Sequence, residues 1–443
     1  MHPILRSLRS AHGLAIATRA AALLLVALLA ACTREPATTA AAAAATAPAP
    51  LQVDAWPLPA PPGAAQPDLA LAPDGRLLLS WIEPLESGGH RLQLASTQDP
   101  GDAWTPALTV AEGRDWFVNW ADTPHVYALA DGTLWAHWLE NTGPSRMDYG
   151  IALVRSADGG HSWSRTPAVH PRSRGDHGFV TFWAQGGDRL GLAWLDSRQK
   201  AAAGQGGGRD GHDGHDGHPA GAAMMLRAAV HGPDGVQRSE WPLDDSTCDC
   251  CTTASAQTAR GTVVVYRGRS AGEVRDIRIV RLQDGTWTAP RDVHADGWQV
   301  AGCPVNGPAV AAAGEQVWVA WYTESDGQPE LRVARSGDSG DSFQAPVTLA
   351  RGSQVLGRVA LVSGDGQLSA VWLEEAAAGT QVLRLARYGA SLSTPPLEVE
   401  VATLQARGRA SGMPRLQWAG GAAWLVWTEV EQGAPVLRGA VVR

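Results

Sequence analysis

Seven times along the chain, a short polar turn leads into an alternating apolar run that closes on Trp or Tyr. Asp74-Gly75 leads to Trp81, Asp131-Gly132 to Trp138, and a turn around Gly186 to Trp194. Arg260-Gly261 leads to Tyr266, Gly314-Glu315 to Trp321, Asp365-Gly366 to Trp372 and Gly420-Gly421 to Trp427. Alternation at period two predicts half-buried strands, and the Gly-containing turns predict hairpins between them. The closing aromatics lie 57, 56, 72, 55, 51 and 55 residues apart, and the long interval holds a Gly/His-rich insertion at about 200–222. A repeat of this length is one supersecondary unit that must stack on its neighbours to bury its faces.

A second element follows in register. Thr97-x-Asp99-x-Gly101-x-x-Trp104, Ser156-x-Asp158-x-Gly160-x-x-Trp163 and Ser336-x-Asp338-x-Gly340-x-x-Phe343 share one spacing, and shortened copies occur at Asp284-Gly285 and Asp234-Gly235. In such a turn the Asp accepts backbone hydrogen bonds and the Gly supplies a positive φ. The spacing resembles the Asp-box of the bacterial neuraminidase repeat. Each repeat then holds four antiparallel strands, which is a propeller blade. The fold expected is all-β, a single β-propeller. The count of closing aromatics favours seven blades, with the six of sialidases as the alternative. Residues 51–58 resemble a fourth strand and would complete the last blade.

Composition fits this picture. The chain has 443 residues with 50 Gly, 29 Pro and 19 Trp, and its 44% hydrophobic content excludes a disordered chain. The first 31 residues read as a leader: Arg6, Arg9 and Arg19 precede an apolar stretch too short to span a bilayer. It ends in Leu29-Ala30-Ala31-Cys32, which resembles a lipoprotein lipobox, with Cys32 as the lipidated residue. Residues 32–50 are a low-complexity tether and residues 51–443 the propeller. The resemblance implies an outer-membrane lipoprotein facing the periplasm of a Gram-negative bacterium, touching the membrane through that lipid only. Loss of a leader with three Arg and no acid takes the net charge from −8 to −11. An acidic chain of this kind is no partner for nucleic acid. A monomer is expected.

Topology sorts the remaining residues. In a blade, the first-to-second and third-to-fourth turns share one face, and the crossovers and second-to-third loops share the other. Unusual residues collect on the second face. Trp116, Asn119, Trp120 and Asp122 enter blade two, and Asp176 and His177 blade three. Cys248, Cys250 and Cys251 enter blade four, Cys303 and Asn306 blade five, Arg358 blade six and Arg415 blade seven. Asp196 and Arg198 follow the third closing Trp, and Arg267, Arg269, Glu273 and Arg275 lie in blade four. Such a mouth predicts a carbohydrate or small anionic ligand. Acids placed two after a closing Trp, such as Asp196, Glu140 and Glu374, have the alternative role of capping their loops.

Three functions stay open. The sialidase resemblance implies a carboxylate clamp of Arg275, Arg358 and Arg415, with Tyr266 and Glu273 as nucleophile pair and Asp196 or Asp176 as general acid/base. Trp116, Asn119, Trp120, Asp122, His177, Arg198, Arg267, Arg269 and Asn306 would bind ligand. The F/Y-R-I-P motif of true sialidases is absent, so the resemblance covers the fold and not the catalytic set. The second reading is a metal or thiol centre. His212, His215 and His218 with Cys248, Cys250, Cys251 and Cys303 would hold Zn or Cu, or the cysteines would form disulfides. The third is a propeller that binds without chemistry.

Overall fold

The alternating runs fold into antiparallel strands that pair with their neighbours in the chain. The computed structural model describes residues 49–98, 101–171, 174–200 and 223–443. Blade one is Ala65–Leu71, Leu77–Pro84, His90–Ser96 and Leu108–Gly113, paired in that order. Six further sheets repeat this plan, and the short strand Arg291–Asp292 makes blade four five-stranded. The innermost strands are Ala65–Leu71, His125–Ala128, His177–Ala184, Ala254–Thr258, Ala309–Ala313, Val355–Gly364 and Arg415–Ala419. Each contacts the next and the last contacts the first, so the ring is closed with seven blades. Val53–Ala55 closes it by pairing antiparallel with the C-terminal strand Ala434–Val442. Among the described residues no helix is long and apolar enough to cross a membrane.

The closing aromatics are packing devices. Trp81, Trp194, Trp321 and Trp372 are buried between sheets. The acid two residues on belongs to the same device: Trp138, Trp194 and Trp372 donate their indole N–H to Glu140, Asp196 and Glu374 at 3.0, 2.8 and 2.8 Å. Arg165, Arg198 and Arg384 pair with the same three carboxylates. The Asp-box turns are equally local. Ser156 Oγ donates to Asp158 Oδ1 at 2.7 Å and accepts the Gly160 N–H at 2.9 Å, and Ser336, Asp338 and Gly340 repeat this. Gly160 has a φ of +96°, which a side chain would oppose.

The inner strands are interrupted where they begin. Blades one, three and six each carry a β-bulge there, between Ala65 and Asp68, Gly178 and Thr181, and Gly357 and Ala360. Within these bulges Gln66, Phe179 and Arg358 hold φ of +49°, +52° and +55°. A bulge re-aims side chains and stores strain that the surroundings must hold.

Candidate functional site

A cavity of about 320 Å³ lies on the ring axis and is lined from all seven innermost strands. Its polar groups include Asp68, Asp122, Thr123, His125, Arg358 and Arg415. Of the expected site residues, Asp122, Arg358 and Arg415 line it; Asp68 and His125 were not expected, and their signal is polarity within otherwise apolar inner-strand runs.

Three of these groups cluster around the Asp68 carboxylate. Asp68 Oδ1 lies 3.1 Å from His125 Nδ1 and 3.6 Å from Arg415 Nε, while Oδ2 accepts the Val126 N–H at 3.4 Å. Burial opposes ionisation of Asp68, but His125, Arg415 and that N–H outweigh it and hold the carboxyl at about 2. Arg415 also donates to Thr123 Oγ1 and to the Pro67 carbonyl.

Arg358 is different. Its guanidinium donates to Ser411 Oγ at 2.6 Å and to the Gly412 and Gly408 carbonyls at 3.1 and 2.8 Å. It stands 4.6 Å over the Trp120 ring. Among the described residues no carboxylate pairs with it, and burial alone pulls its pKa down to about 10. It is therefore a charged cation with only neutral oxygens and a ring around it. Among the described residues, three of its five N–H donors serve protein acceptors. The strained backbone at Arg358 is held by Asn306, whose Oδ1 accepts the Arg358 N–H at 2.8 Å. Trp120 also lines a second cavity of about 440 Å³ with Gln66, Arg409 and Thr428.

Asp122 is 2% exposed. Its Oδ1 accepts the Phe179 N–H at 2.8 Å, and its Oδ2 is buried without a hydrogen-bond partner. Burial raises its carboxyl to about 7; the Phe179 N–H opposes the rise and the nearby Asp176 adds to it. The Asp176 carboxyl is also raised, chiefly by burial. Asn119 supports this turn, its Oδ1 accepting the Ala121 and Asp122 N–H groups.

Other expected site residues are placed elsewhere. Arg275 does not line the axial cavity; it is buried, pairs with Glu273 at 2.6 Å and donates to Cys248 Sγ at 3.3 Å. The three-arginine clamp is thus not assembled there. Tyr266 is fully buried and donates to Asp244 at 2.7 Å, and Glu273 is occupied by Arg269 and Arg275, so the nucleophile pair is not formed either. Asp196 is a buried acceptor for Trp194 and Arg198, with His177 Nδ1 at 3.3 Å; burial opposes its ionisation, but the His177 and Arg198 interactions outweigh it and lower the carboxyl. Trp116 is buried against Trp138, with ring centroids 5.3 Å apart. Arg267 is buried over Trp298. Asn306 uses its side chain within the fold, bonding Leu356 and Arg358.

Cys250 and Cys303 form a disulfide, while Cys248 and Cys251 are buried thiols 3.2 Å apart. Cys248, Cys250 and Cys251 place their sulfurs within 4.8 Å of one another. Cys32, His212, His215 and His218 lie outside the described residues.

No family model matches the chain, and no curated protein does. Similar solved structures include the polysaccharide lyase Uly1, 10% identical with a TM-score of 0.47, covering 86% of this chain and 90% of that one. An α-L-arabinofuranosidase from Fusarium graminearum, solved with an iminosugar inhibitor, is 13% identical with a TM-score of 0.43, covering 86% and 93%. A protein of unknown function from Dyadobacter fermentans is 13% identical with a TM-score of 0.45, covering 86% and 94%. Likeness at this level carries no argument about activity or ligand.

Proposed function

We propose that the propeller binds an acidic sugar or a related polyhydroxylated anion at its axial cavity, and that Arg358 is the group that receives the charge. One observation carries this reading: Arg358 lines the cavity from strained backbone, and its guanidinium has no carboxylate partner among the described residues. A ligand carboxylate would complete a charge-assisted pair there, and the adjacent Trp120 and its cavity suit a sugar ring. In this reading the Asp-box propeller is a sialidase-like lipoprotein, tethered through Cys32 at the outer membrane and facing the periplasm.

Calorimetric titration with sialic, glucuronic and galacturonic acids against their neutral counterparts tests the reading. An ionic hydrogen bond is worth about 1.5–3 kcal/mol, so Arg358→Gln should weaken acid binding by about 10- to 100-fold and leave neutral sugars unchanged. Equal binding of acids by wild type and variant would sink it.

The state of Asp122 favours hydrolysis as a second reading. A carboxyl raised to about 7, on a residue that lines the cavity, would serve as general acid for a leaving glycosidic oxygen once its buried Oδ2 is opened to the substrate. Turnover of aryl glycosides that disappears in Asp122→Asn is the expected result; an inert wild type leaves binding alone.

A further inference from the structure

The four cysteines of blades four and five form a graded series from solvent inwards. Cys303 is exposed and Cys250, its disulfide partner, is half-buried. Behind them Cys248 Sγ lies 3.9 Å from Cys250 Sγ and 3.2 Å from Cys251 Sγ, and both of these thiols are buried. Cys248 and Cys251 have the C-x-x-C spacing found where a vicinal dithiol closes reversibly.

The surroundings are cationic. Arg275 Nη1 donates to Cys248 Sγ at 3.3 Å. Arg267 is 2% exposed and spends its N–H groups on the Asn306, Arg275 and Tyr322 carbonyls, with no carboxylate partner among the described residues. Arg275 gives Nε and Nη2 to the Glu273 carboxylate and only Nη1 to Cys248, while Arg267 has no anion of its own, and buried guanidinium groups favour one beside them. The Cys251 hydrogen bond, followed by the Arg275 charge, lowers the Cys248 thiol, while burial and Cys248 itself raise Cys251. Cys248, 3.9 Å from Cys250 Sγ and beside Arg275, is placed as the attacking group, and Cys251, 3.2 Å behind it, as the resolving partner.

We propose that this cluster is a thiol–disulfide exchange centre, moving a disulfide between the exposed pair Cys250–Cys303 and the buried pair Cys248–Cys251. The Cys248 thiolate attacks Cys250 Sγ, the Cys250–Cys303 bond breaks, and Cys303 leaves as a thiolate that takes up the proton Cys248 lost. Cys251 then loses its proton and attacks Cys248 Sγ, and Cys250 leaves and is protonated. Two thiols and one disulfide stand on each side, so the exchange needs no external oxidant. External small thiols or dithiol proteins enter at Cys303, the exposed sulfur.

Disulfide mapping tests this on the full-length mature protein. Samples equilibrated across reduced-to-oxidised glutathione ratios are quenched with a maleimide and read by peptide mass spectrometry. At intermediate ratios the Cys248–Cys251 linkage should accompany an alkylated Cys303. Cys251→Ser should stall the reaction at a Cys248–Cys250 linkage. Arg275→Gln should slow maleimide capture of Cys248 near neutral pH by about tenfold and shift its pH profile upwards, with Arg275→Lys restoring part of the rate. Cys250–Cys303 as the single linkage at every ratio in wild type would overturn the proposal. So would a stoichiometric bound metal that shields all four sulfurs. The wild-type map decides even if a variant fails to fold.

Discussion

Asp122 buries a carboxylate oxygen without giving it a partner, and the cost fixes its behaviour with pH. An acid whose folded pKa lies above its unfolded value keeps a proton that the unfolded chain has released. Its contribution to stability therefore falls as pH rises, here between about 4 and about 7. At about 1.4 kcal/mol per pH unit the fall is at most about 4 kcal/mol. Asp122→Asn, which keeps the acceptor for Phe179, should abolish this fall; urea midpoints of both proteins from pH 4 to 8 measure it. Parallel curves would show that Asp122 ionises normally. Gly178 packs so closely that an added Cβ would lie 2.1 Å from Asp122 Oδ2, so Gly178→Ala should destabilise strongly in the same assay. The position of Asp122 was legible from its crossover, but its missing partner was not, since that depends on atoms brought from other blades. Tyr266 shows the converse: it occupies the repeat position of the buried closing Trp residues, so its burial was readable from the pattern.

The blade was the most legible level, because its signals are local. An alternating run needs only its own residues to set which face is apolar, and the Asp-box carries its geometry in its spacing. Ser156→Ala removes the acceptor of the buried Gly160 N–H and the donor to Asp158. An unsatisfied buried N–H costs about 1–3 kcal/mol, so chemical denaturation should show a loss in that range. Ligand binding should be unaffected, because the turn lies on the face opposite the crossovers. Impaired binding with unchanged stability would contradict this division of faces. For the acids after the closing Trp residues, Asp196 among them, loop cap and mouth carboxylate both stayed open for a physical reason: one spacing serves an indole acceptor and a mouth carboxylate equally, and only the N–H···O geometry separates them. The bulges at Gln66, Phe179 and Arg358 left no trace in the pattern, as a one-residue insertion barely disturbs alternation.

At the scale of the whole ring, everything depends on a strand of three residues. Blade seven takes three strands from the C-terminus and its outermost, Val53–Ala55, from the start of the domain. Trp56 follows that strand and is 6% exposed, with its ring centroid 4.9 Å from Trp104 of blade one and 4.7 Å from Trp424 of blade seven. The Trp56 backbone N–H donates to the Gly439 carbonyl at 2.9 Å. The closing strand thus bonds one blade while its Trp wedges against the next. Truncation of a buried Trp costs about 3–5 kcal/mol, so Trp56→Ala should lower the melting temperature by several degrees. Deletion of residues 51–58 should do more, because it also bares the edge of Ala434–Val442 and invites edge-to-edge association. Deletion of residues 33–48, from the stretch 32–50 expected to be a tether, should leave the melt unchanged. Scanning calorimetry with light scattering compares the three. If loss of 51–58 left a cooperative, monomeric melt at the wild-type temperature, blade seven would be stable with three strands and the ring would not rely on its N-terminal strand.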